Sequence, residues 1–114
     1  MRTYAAEIIK FESKEVELYG WVSARRDHGK LVFIDLRDRS GLAQVVFRPE
    51  IPSASDLRLE YVIRVKGEVK RRPDKMVNEK MSTGAYEVSA TELEILNTSE
   101  ALPISIDTDG YEIN

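Results

Sequence analysis

The stretch LVFIDLRDRSGLAQVVF, residues 31–47, alternates apolar and polar residues on both sides of a four-residue segment, Asp38 to Gly41. Alternation with a period of two is the pattern of a half-buried β-strand. A connection that contains Asp and Gly is typical of a tight turn between antiparallel strands. The stretch therefore predicts a hairpin with strands over Leu31 to Arg37 and Ala43 to Arg48.

The same alternation recurs before and after this hairpin. Three further strands are expected, over Val16 to Ala24, Tyr61 to Arg71 and Tyr86 to Leu96. Asp27 to Lys30 is expected to turn from the first strand into the second, and an initial helical turn is expected near Ala5 to Ile9. A short helix is expected over Ser53 to Leu59, with Ser53 or Ser55 as its N-cap. Five strands with a helix between the third and fourth predict an all-β, Greek-key OB-fold, the oligonucleotide-binding barrel.

Length and composition limit the classes of function. The 114 residues suffice for one domain, expected over 1–103, with 104–114 beginning a linker. The absence of cysteine excludes disulfides and thiolate metal sites, and a single histidine excludes a histidine cage, so no metal site is expected. No apolar run reaches the length of a membrane helix and residues 1–10 do not resemble a signal peptide, so a cytoplasmic location without membrane contact is expected.

Charge is distributed unevenly along the chain, although its net value is −3. All 17 Lys and Arg residues lie before residue 85, together with 13 of the 20 acidic residues. The last 30 residues contain seven acidic residues and no Lys or Arg. A basic body followed by an acidic tail is compatible with nucleic-acid binding, because the local field matters more than the total charge.

Two side chains on the outer face of the hairpin are candidates for base recognition. Placing Val32, Ile34 and Leu36 in the core turns Phe33 outward, where it either lies under a loop or partner domain or serves as a platform on which bases stack. Placing Ala43, Val45 and Phe47 in the core turns Gln44 outward beside Phe33. Its amide offers a donor and an acceptor to a base edge, and OB-folds bind nucleic acid on these strands.

Basic residues at the ends of the first and fourth strands are candidates for phosphate contacts. They are expected to converge on the Phe33 surface and to make binding dependent on salt. The set comprises Arg25, Arg26, Lys30, Lys70, Arg71 and Arg72.

The sequence gives little support for a catalytic site. His28 has no matched nucleophile, and the sequence contains no glycine-rich phosphate loop or metalloprotease motif. Asp35 and Asp38 could in principle form an acid and base pair, but Arg37, Arg39 or turn amides are expected to hold them instead. No catalytic residue is therefore assigned in this chain.

Several motifs resemble the N-terminal anticodon-binding domain of bacterial-type aspartyl-tRNA synthetase, a class II aminoacyl-tRNA synthetase. The resemblance covers essentially the whole chain. It rests on Gly20-Trp21-Val22, Arg25-Arg26-Asp27, Phe33 to Arg39, Gly41, Gln44 to Phe47, Gly67-Glu68-Val69, Arg72, Asn78, Met81, Thr83-Gly84, Glu87-Val88, Ile95-Leu96-Asn97 and Leu102-Pro103.

The resemblance implies a role for each matching residue. Phe33 would stack on the central uridine of the anticodon of tRNA-Asp and Gln44 would read a base edge. The other implied neighbours in the anticodon pocket are Arg26, His28, Arg72, Asn78 and Glu87. ATP and Mg²⁺ would belong to a separate catalytic domain of the parent aspartate-tRNA ligase, a homodimer, and no cofactor is implied for this chain.

The sequence departs from the family pattern at one segment and at one residue. The segment Pro49 to Glu60 is shorter than usual, so the helix of the barrel is expected to be a stub. His28 stands where many strictly aspartate-specific members carry Leu, and it resembles members that also charge tRNA-Asn. This position motivates the hypothesis of relaxed Asp/Asn specificity.

Two other classes of function remain open at this point. A free-standing single-strand nucleic-acid binder would be indifferent to base identity. A protein-interaction barrel would use Phe33 to contact a partner and would show no salt-dependent RNA binding.

Overall fold

The computed structural model describes residues 2–73 and 83–97, and five strands organise them. The strands are β1 (Glu15–His28), β2 (Leu31–Asp38), β3 (Gly41–Phe47), β4 (Val62–Arg71) and β5 (Tyr86–Asn97). They form a closed barrel in the order β1-β2-β3-β5-β4, with β4 returning to β1. Only the β3–β5 junction is parallel among these pairings. The expected OB-fold is confirmed.

Strand β1 is longer than expected because it belongs to two parts of the barrel. Its first half, Glu15 to Trp21, pairs with β4, and its second half pairs with β2 as far as His28. The register shifts between Val22 and Ala24. As a consequence, Arg25 and Arg26 lie inside the strand instead of leaving it, and their side chains take opposite faces.

Glycine at position 20 allows the barrel to close tightly. A Cβ atom built on Gly20 would lie 2.3 Å from the carbonyl oxygen of Arg37 on the neighbouring strand. No side chain fits this approach, so the curvature of β1 against β2 depends on glycine at this position.

The two hairpin connections lie within the predicted turn segments, although Asp27 and His28 belong to β1. Gly29 and Lys30 join β1 to β2, and Gly29 has a positive φ of 61°. Arg39 and Ser40 join β2 to β3. The carboxylate of Asp38 accepts from the backbone amide of Ser40 at 2.8 Å, as an Asp in a turn is expected to do.

Both helical segments are 3-10 helices. The first spans Ala5–Lys10, close to the expected turn. The second spans Pro52–Asp56, shorter than the expected Ser53 to Leu59, and Ile51 occupies its N-cap without a side-chain cap bond. The capping prediction was wrong, because Ser55 Oγ donates to the carbonyl of Pro52 at 2.9 Å instead of accepting from an amide.

The core confirms the alternation read from the sequence. Ile34, Leu36, Val45 and Phe47 are fully buried, and the inward residues of β4 join them. Ile8 and Ala5 of the first 3-10 helix are also fully buried in this cluster. The opposite face of β2 is partly exposed, whereas that of β3 is buried at Gln44 and Val46.

Two sequence predictions lie outside the described residues. They are the assignment of Asn78 to the binding site and the linker over 104–114. In the described part of the chain, no helix is long and apolar enough to cross a membrane.

Candidate nucleic-acid interface

Phe33 lies on the outer face of the barrel between β1 and β3. Its Cα partner is Arg26 on one side and Val46 on the other. The ring is half-buried, and the ring of His28 meets it edge to face with 5.4 Å between centroids. Val46, the Cα partner of Phe33 on β3, is only 4% exposed and is its apolar neighbour on that side. The geometry suits an aromatic side chain held in place for stacking.

Arg26 is fixed beside Phe33 by polar contacts on the same face. One Nη atom donates to Asp35 Oδ1 at 2.8 Å and to Gln44 Oε1 at 3.2 Å. The other donates to Asp35 Oδ2 at 3.3 Å. Hydrogen bonding to Asp35 raises the pKa of the Arg26 guanidinium above its ordinary value, so it remains a cation. The Arg26 side chain is still 43% exposed and available to a ligand.

Gln44 is on the expected face, but it is buried and not a surface residue as predicted. Only 5% of it is exposed. Its Oε1 accepts from Arg26, and its Nε2 donates to Glu87 Oε1 at 3.2 Å. These two contacts distinguish the ends of the amide, because a guanidinium can only donate and an ionised carboxylate can only accept.

Arg72 joins the same group of residues from the end of β4. It was expected at the surface, yet only 8% of it is exposed. Its Nε lies 3.8 Å from Glu87 Oε1, and one Nη donates to the carbonyl of Gly84 at 3.3 Å. Nε is buried and makes no hydrogen bond within the part of the chain that the structure describes. Arg26, Asp35, Gln44, Glu87 and Arg72 together form what we call the outer-face network.

Arg25 does not join this surface. One Nη donates to the carbonyl oxygens of Leu57 at 2.6 Å and Ser55 at 3.1 Å, and Nε pairs with Asp27 at 2.8 Å. The carboxylate of Asp27 raises the pKa of Arg25, and Arg25 in turn lowers the pKa of Asp27. Arg25 thus ties β1 to the end of the second 3-10 helix and the residue that follows it.

None of the remaining predicted cations forms an ion pair with the network in the described part of the chain. Lys30 is exposed in the β1–β2 turn. Lys70 is exposed and pairs in register with Glu87 across β4 and β5, which places it at the border of the network. Arg71 lies over the ring of Tyr86, 5.8 Å from its centroid.

The two carboxylates considered as a catalytic pair have separate structural roles. Asp38 is buried and binds the amides of Ser40 and Ala5, both at 2.8 Å. Asp35 is held by Arg26, not by Arg37 or Arg39 as predicted, because Arg26 lies on the neighbouring strand on the same face. Within residues 2–73 and 83–97 no group of three His, Asp or Glu residues could hold a metal ion.

Sequence reasoning missed two contributors to this face. Asp35 was given no binding role, and Val46 was named only within the family motif Gln44 to Phe47. The alternation of β3 turns Val46 outward with Gln44, so the pattern contained the signal. What the pattern did not contain is the pairing register, which sets Val46 directly beside Phe33 and Asp35 beside Gln44.

A comparison with protein families matches residues 16–96 to a tRNA anticodon model described as an OB-fold nucleic acid binding domain. The match spans all five strands.

Two curated proteins illustrate the relatives of this chain. It is 54% identical over 98 residues to an aspartate–tRNA(Asp/Asn) ligase of Desulfosudis oleivorans, covering 82% of this chain and 16% of that protein. It is 49% identical over 114 residues to an aspartate–tRNA ligase of Enterococcus faecalis, covering 95% of this chain and 19% of that protein. The chain therefore spans less than a fifth of the length of these relatives.

A solved structure shows the same architecture. Asparaginyl-tRNA synthetase from Pyrococcus horikoshii, complexed with asparaginyl-adenylate, superimposes with a TM-score of 0.72 at 28% identity. The similarity covers 92% of this chain and 24% of the archaeal one.

Proposed function

The chain belongs to the tRNA anticodon family of OB-fold nucleic acid binding domains, and on that basis we propose that it binds the anticodon loop of tRNA-Asp. In this proposal the domain holds the loop so that a catalytic domain of a longer aspartate–tRNA ligase aminoacylates the other end of the tRNA. The relatives carry that name and are several times longer than this chain.

The observation that carries the proposal is the fixed amide of Gln44, which lies opposite Asp35 and diagonally across from Phe33 on the same face. Arg26 and Glu87 bind its two ends at 3.2 Å each. Each end retains hydrogen-bonding capacity, because the oxygen has a second lone pair and the nitrogen a second hydrogen. A base that stacks on Phe33 would therefore meet a donor and an acceptor whose positions are already determined.

The other residues contribute charge and contact area. Stacking on an aromatic ring stabilises a bound base by about 1–3 kcal/mol, and we assign the central uridine to Phe33. Arg26 and Lys30 are exposed and supply positive charge for the phosphates, which makes binding fall as salt rises. Glu87 binds the amide nitrogen of Gln44, and Arg72 lies next to Glu87, so these two residues keep the network in position.

The reaction of the longer protein lies outside the site described above. We propose that ATP, Mg²⁺ and aspartate are bound by its catalytic domain, that the whole enzyme is a homodimer, and that this domain needs no cofactor. With tRNA as the partner, the proposal places the protein in the cytoplasm.

A finer proposal concerns tRNA-Asn, whose anticodon differs from that of tRNA-Asp at the third base. His28 touches Phe33 edge to face, so it lies beside the base that stacks there. Relatives with about half their residues identical include ligases named for both tRNA(Asp) and tRNA(Asn). We propose that His28 tolerates both bases.

The test is a titration of the domain with an anticodon stem-loop carrying GUC and with one changed to GAC, at two salt concentrations. The proposal predicts salt-dependent binding that is weaker for GAC. Equal binding to both loops would indicate a binder of single strands that ignores base identity. Absence of salt-dependent RNA binding would contradict the proposal and favour a protein partner.

A further inference from the structure

A second group of arginine and tyrosine side chains lies outside the outer-face network. The guanidinium carbon of Arg2 lies 4.7 Å from the centroid of the Tyr4 ring and 5.3 Å from that of Tyr19. Arg39 lies 4.8 Å from the same Tyr4 ring and donates to its hydroxyl at 2.6 Å. We call these four residues the Arg–Tyr patch.

Three separate segments build the patch. Arg2 forms a parallel bridge with Glu17, which brings the start of the chain alongside β1 and next to Tyr19. Tyr4 is the N-cap of the first 3-10 helix, where its backbone amide donates to Glu7 at 3.3 Å. Arg39 belongs to the β2–β3 turn. Contacts between cation and ring hold both guanidiniums in defined positions.

The positive charge of the patch is not balanced by carboxylates. Among the residues that the structure describes, neither Arg2 nor Arg39 forms an ion pair. Glu17 is bound by Arg64, and both oxygens of Asp38 are occupied by turn and helix groups. Two cations therefore lie within 5 Å of one ring, and an anion placed between them would relieve their repulsion.

The patch continues the face that contains Phe33. The outward residues of β2 run from Phe33 through Asp35 to Arg37, and Arg39 follows in the turn. Arg37 is also exposed and has no ion pair in the described part of the chain. At roughly 3.3 Å per residue, the six positions from Phe33 to Arg39 span about 20 Å.

We propose that the Arg–Tyr patch binds phosphates of the anticodon stem, an inference that rests on the proposed binding of the loop at Phe33. At roughly 3.4 Å per nucleotide, the axial spacing of one strand in B-form DNA, about 20 Å corresponds to about six stacked nucleotides, which is far enough to reach from the anticodon into the stem. Guanidinium groups bind phosphates through paired hydrogen bonds, and those of Arg2 and Arg39 are already positioned by the tyrosine rings.

Charge favours RNA over a protein as the occupant of this surface. Within the described residues, the large apolar side chains that are exposed are Ile9, Leu59 and Leu96. None of them belongs to the patch, and its two guanidiniums, which form no ion pair in the described part of the chain, suit a polyanion such as an RNA backbone.

The experiment compares two RNAs that both contain GUC, a hairpin with the anticodon stem and a single strand with the loop sequence alone. Affinities are measured at several salt concentrations for the protein and for the variants Arg2→Gln, Arg39→Gln and Tyr4→Phe. Arg58→Gln is the matched control, because Arg58 is exposed, lies outside the patch and has no ion pair in the described part of the chain.

The proposal predicts that each arginine variant weakens hairpin binding by roughly five- to eightfold at about 0.1 M salt, which is the effect of releasing one fewer counterion. The slope of log affinity against log salt should fall by roughly 0.7–0.9 for each variant. Binding of the loop strand should be unchanged, and Tyr4→Phe should weaken the hairpin less than Arg39→Gln does. Unchanged hairpin affinity and slope in both arginine variants would overturn the proposal.

A further variant separates this inference from the proposed function. Phe33→Ala should weaken the hairpin and the loop strand alike. If Phe33→Ala has no effect while the arginine variants act on the hairpin, base reading at Phe33 fails and phosphate binding by the patch stands. If only Phe33→Ala acts, the patch proposal fails and the proposed function stands.

Discussion

The side-chain amide of Gln44 on β3 donates to the carboxylate of Glu87 on β5, 43 positions later in the chain, with 3.2 Å between the two atoms. These strands form the parallel junction of the barrel. The orientation of the amide therefore depends on a contact that forms only when the barrel closes. Under the proposed function this contact affects both stability and base recognition, because Glu87 also lies next to the buried cation of Arg72.

Glu87→Gln should lower the free energy of unfolding by about 1–3 kcal/mol, since the buried guanidinium of Arg72 loses its neighbouring negative charge. Urea unfolding measures this change. Glu94→Gln is a matched control on the same strand, because Glu94 is 60% exposed and its ion pair with Arg64 is long at 3.9 Å. The control should change stability by less than about 0.5 kcal/mol. Equal effects of the two variants would contradict the account of Arg72.

Arg25→Ala should mainly lower stability, whereas Arg26→Ala should mainly lower RNA affinity. Arg25 donates to the carbonyls of Ser55 and Leu57, so its loss should lower the free energy of unfolding by about 1–3 kcal/mol and leave RNA affinity nearly unchanged. Arg26 faces the proposed site, so its loss should mainly weaken RNA binding. Thermal melting and RNA titration of both variants provide the comparison. A larger loss of RNA affinity for Arg25→Ala would show that the faces have been assigned incorrectly.

Gly20→Ala should destabilise the barrel by about 3 kcal/mol or more, because the new Cβ atom would lie 2.3 Å from the backbone oxygen of Arg37. Gly29→Ala provides the control for losing a glycine. Gly29 has no atom within 4 Å of a built Cβ and a φ of +61°, so only backbone strain of about 1–2 kcal/mol is expected. Urea midpoints in the reverse order would argue against tight closure at Gly20.

His28 should set the tolerance for the third anticodon base. The unaltered domain is expected to bind GUC and GUU stem-loops with affinities that differ by less than tenfold, or about 1.4 kcal/mol. His28→Leu should increase the preference for GUC. Competition titration with both stem-loops measures the ratio of the two affinities. A tenfold preference in the unaltered domain would refute relaxed specificity, and an unchanged ratio in His28→Leu would remove His28 from this role.

Much of the fold was predictable because the alternation of apolar and polar residues along each strand indicates which of its side chains are buried. The alternation around Ile34 and Val45 identified the core faces, and the turn residues identified both hairpins. The first 3-10 helix was located to within one residue at its end. The second was misjudged at its N-cap, because Pro52 at the first helical position lets the segment begin without a Ser cap.

The site was predictable in its faces and not in its contacts. Alternation placed Phe33 and Gln44 together on the outside of β2 and β3. It did not reveal that β1 extends past Ala24, so that the side chains of Arg25 and Arg26 lie on opposite faces. It also did not reveal that Gln44 and Arg72 would be buried. Those facts depend on pairings between strands that are far apart in the sequence, and a local pattern contains no information about them.

The central claim is that Phe33 stacks on the middle base of the anticodon, and a thermodynamic cycle tests it most directly. Affinities would be measured for the unaltered domain and for Phe33→Ala, each with GUC and GAC stem-loops. The account predicts that Phe33→Ala weakens GUC binding by about 5- to 150-fold, and that the change from U to A costs less in the variant than in the unaltered domain. If the two changes are additive, or if Phe33→Ala leaves GUC binding intact, Phe33 does not contact that base and the account is contradicted.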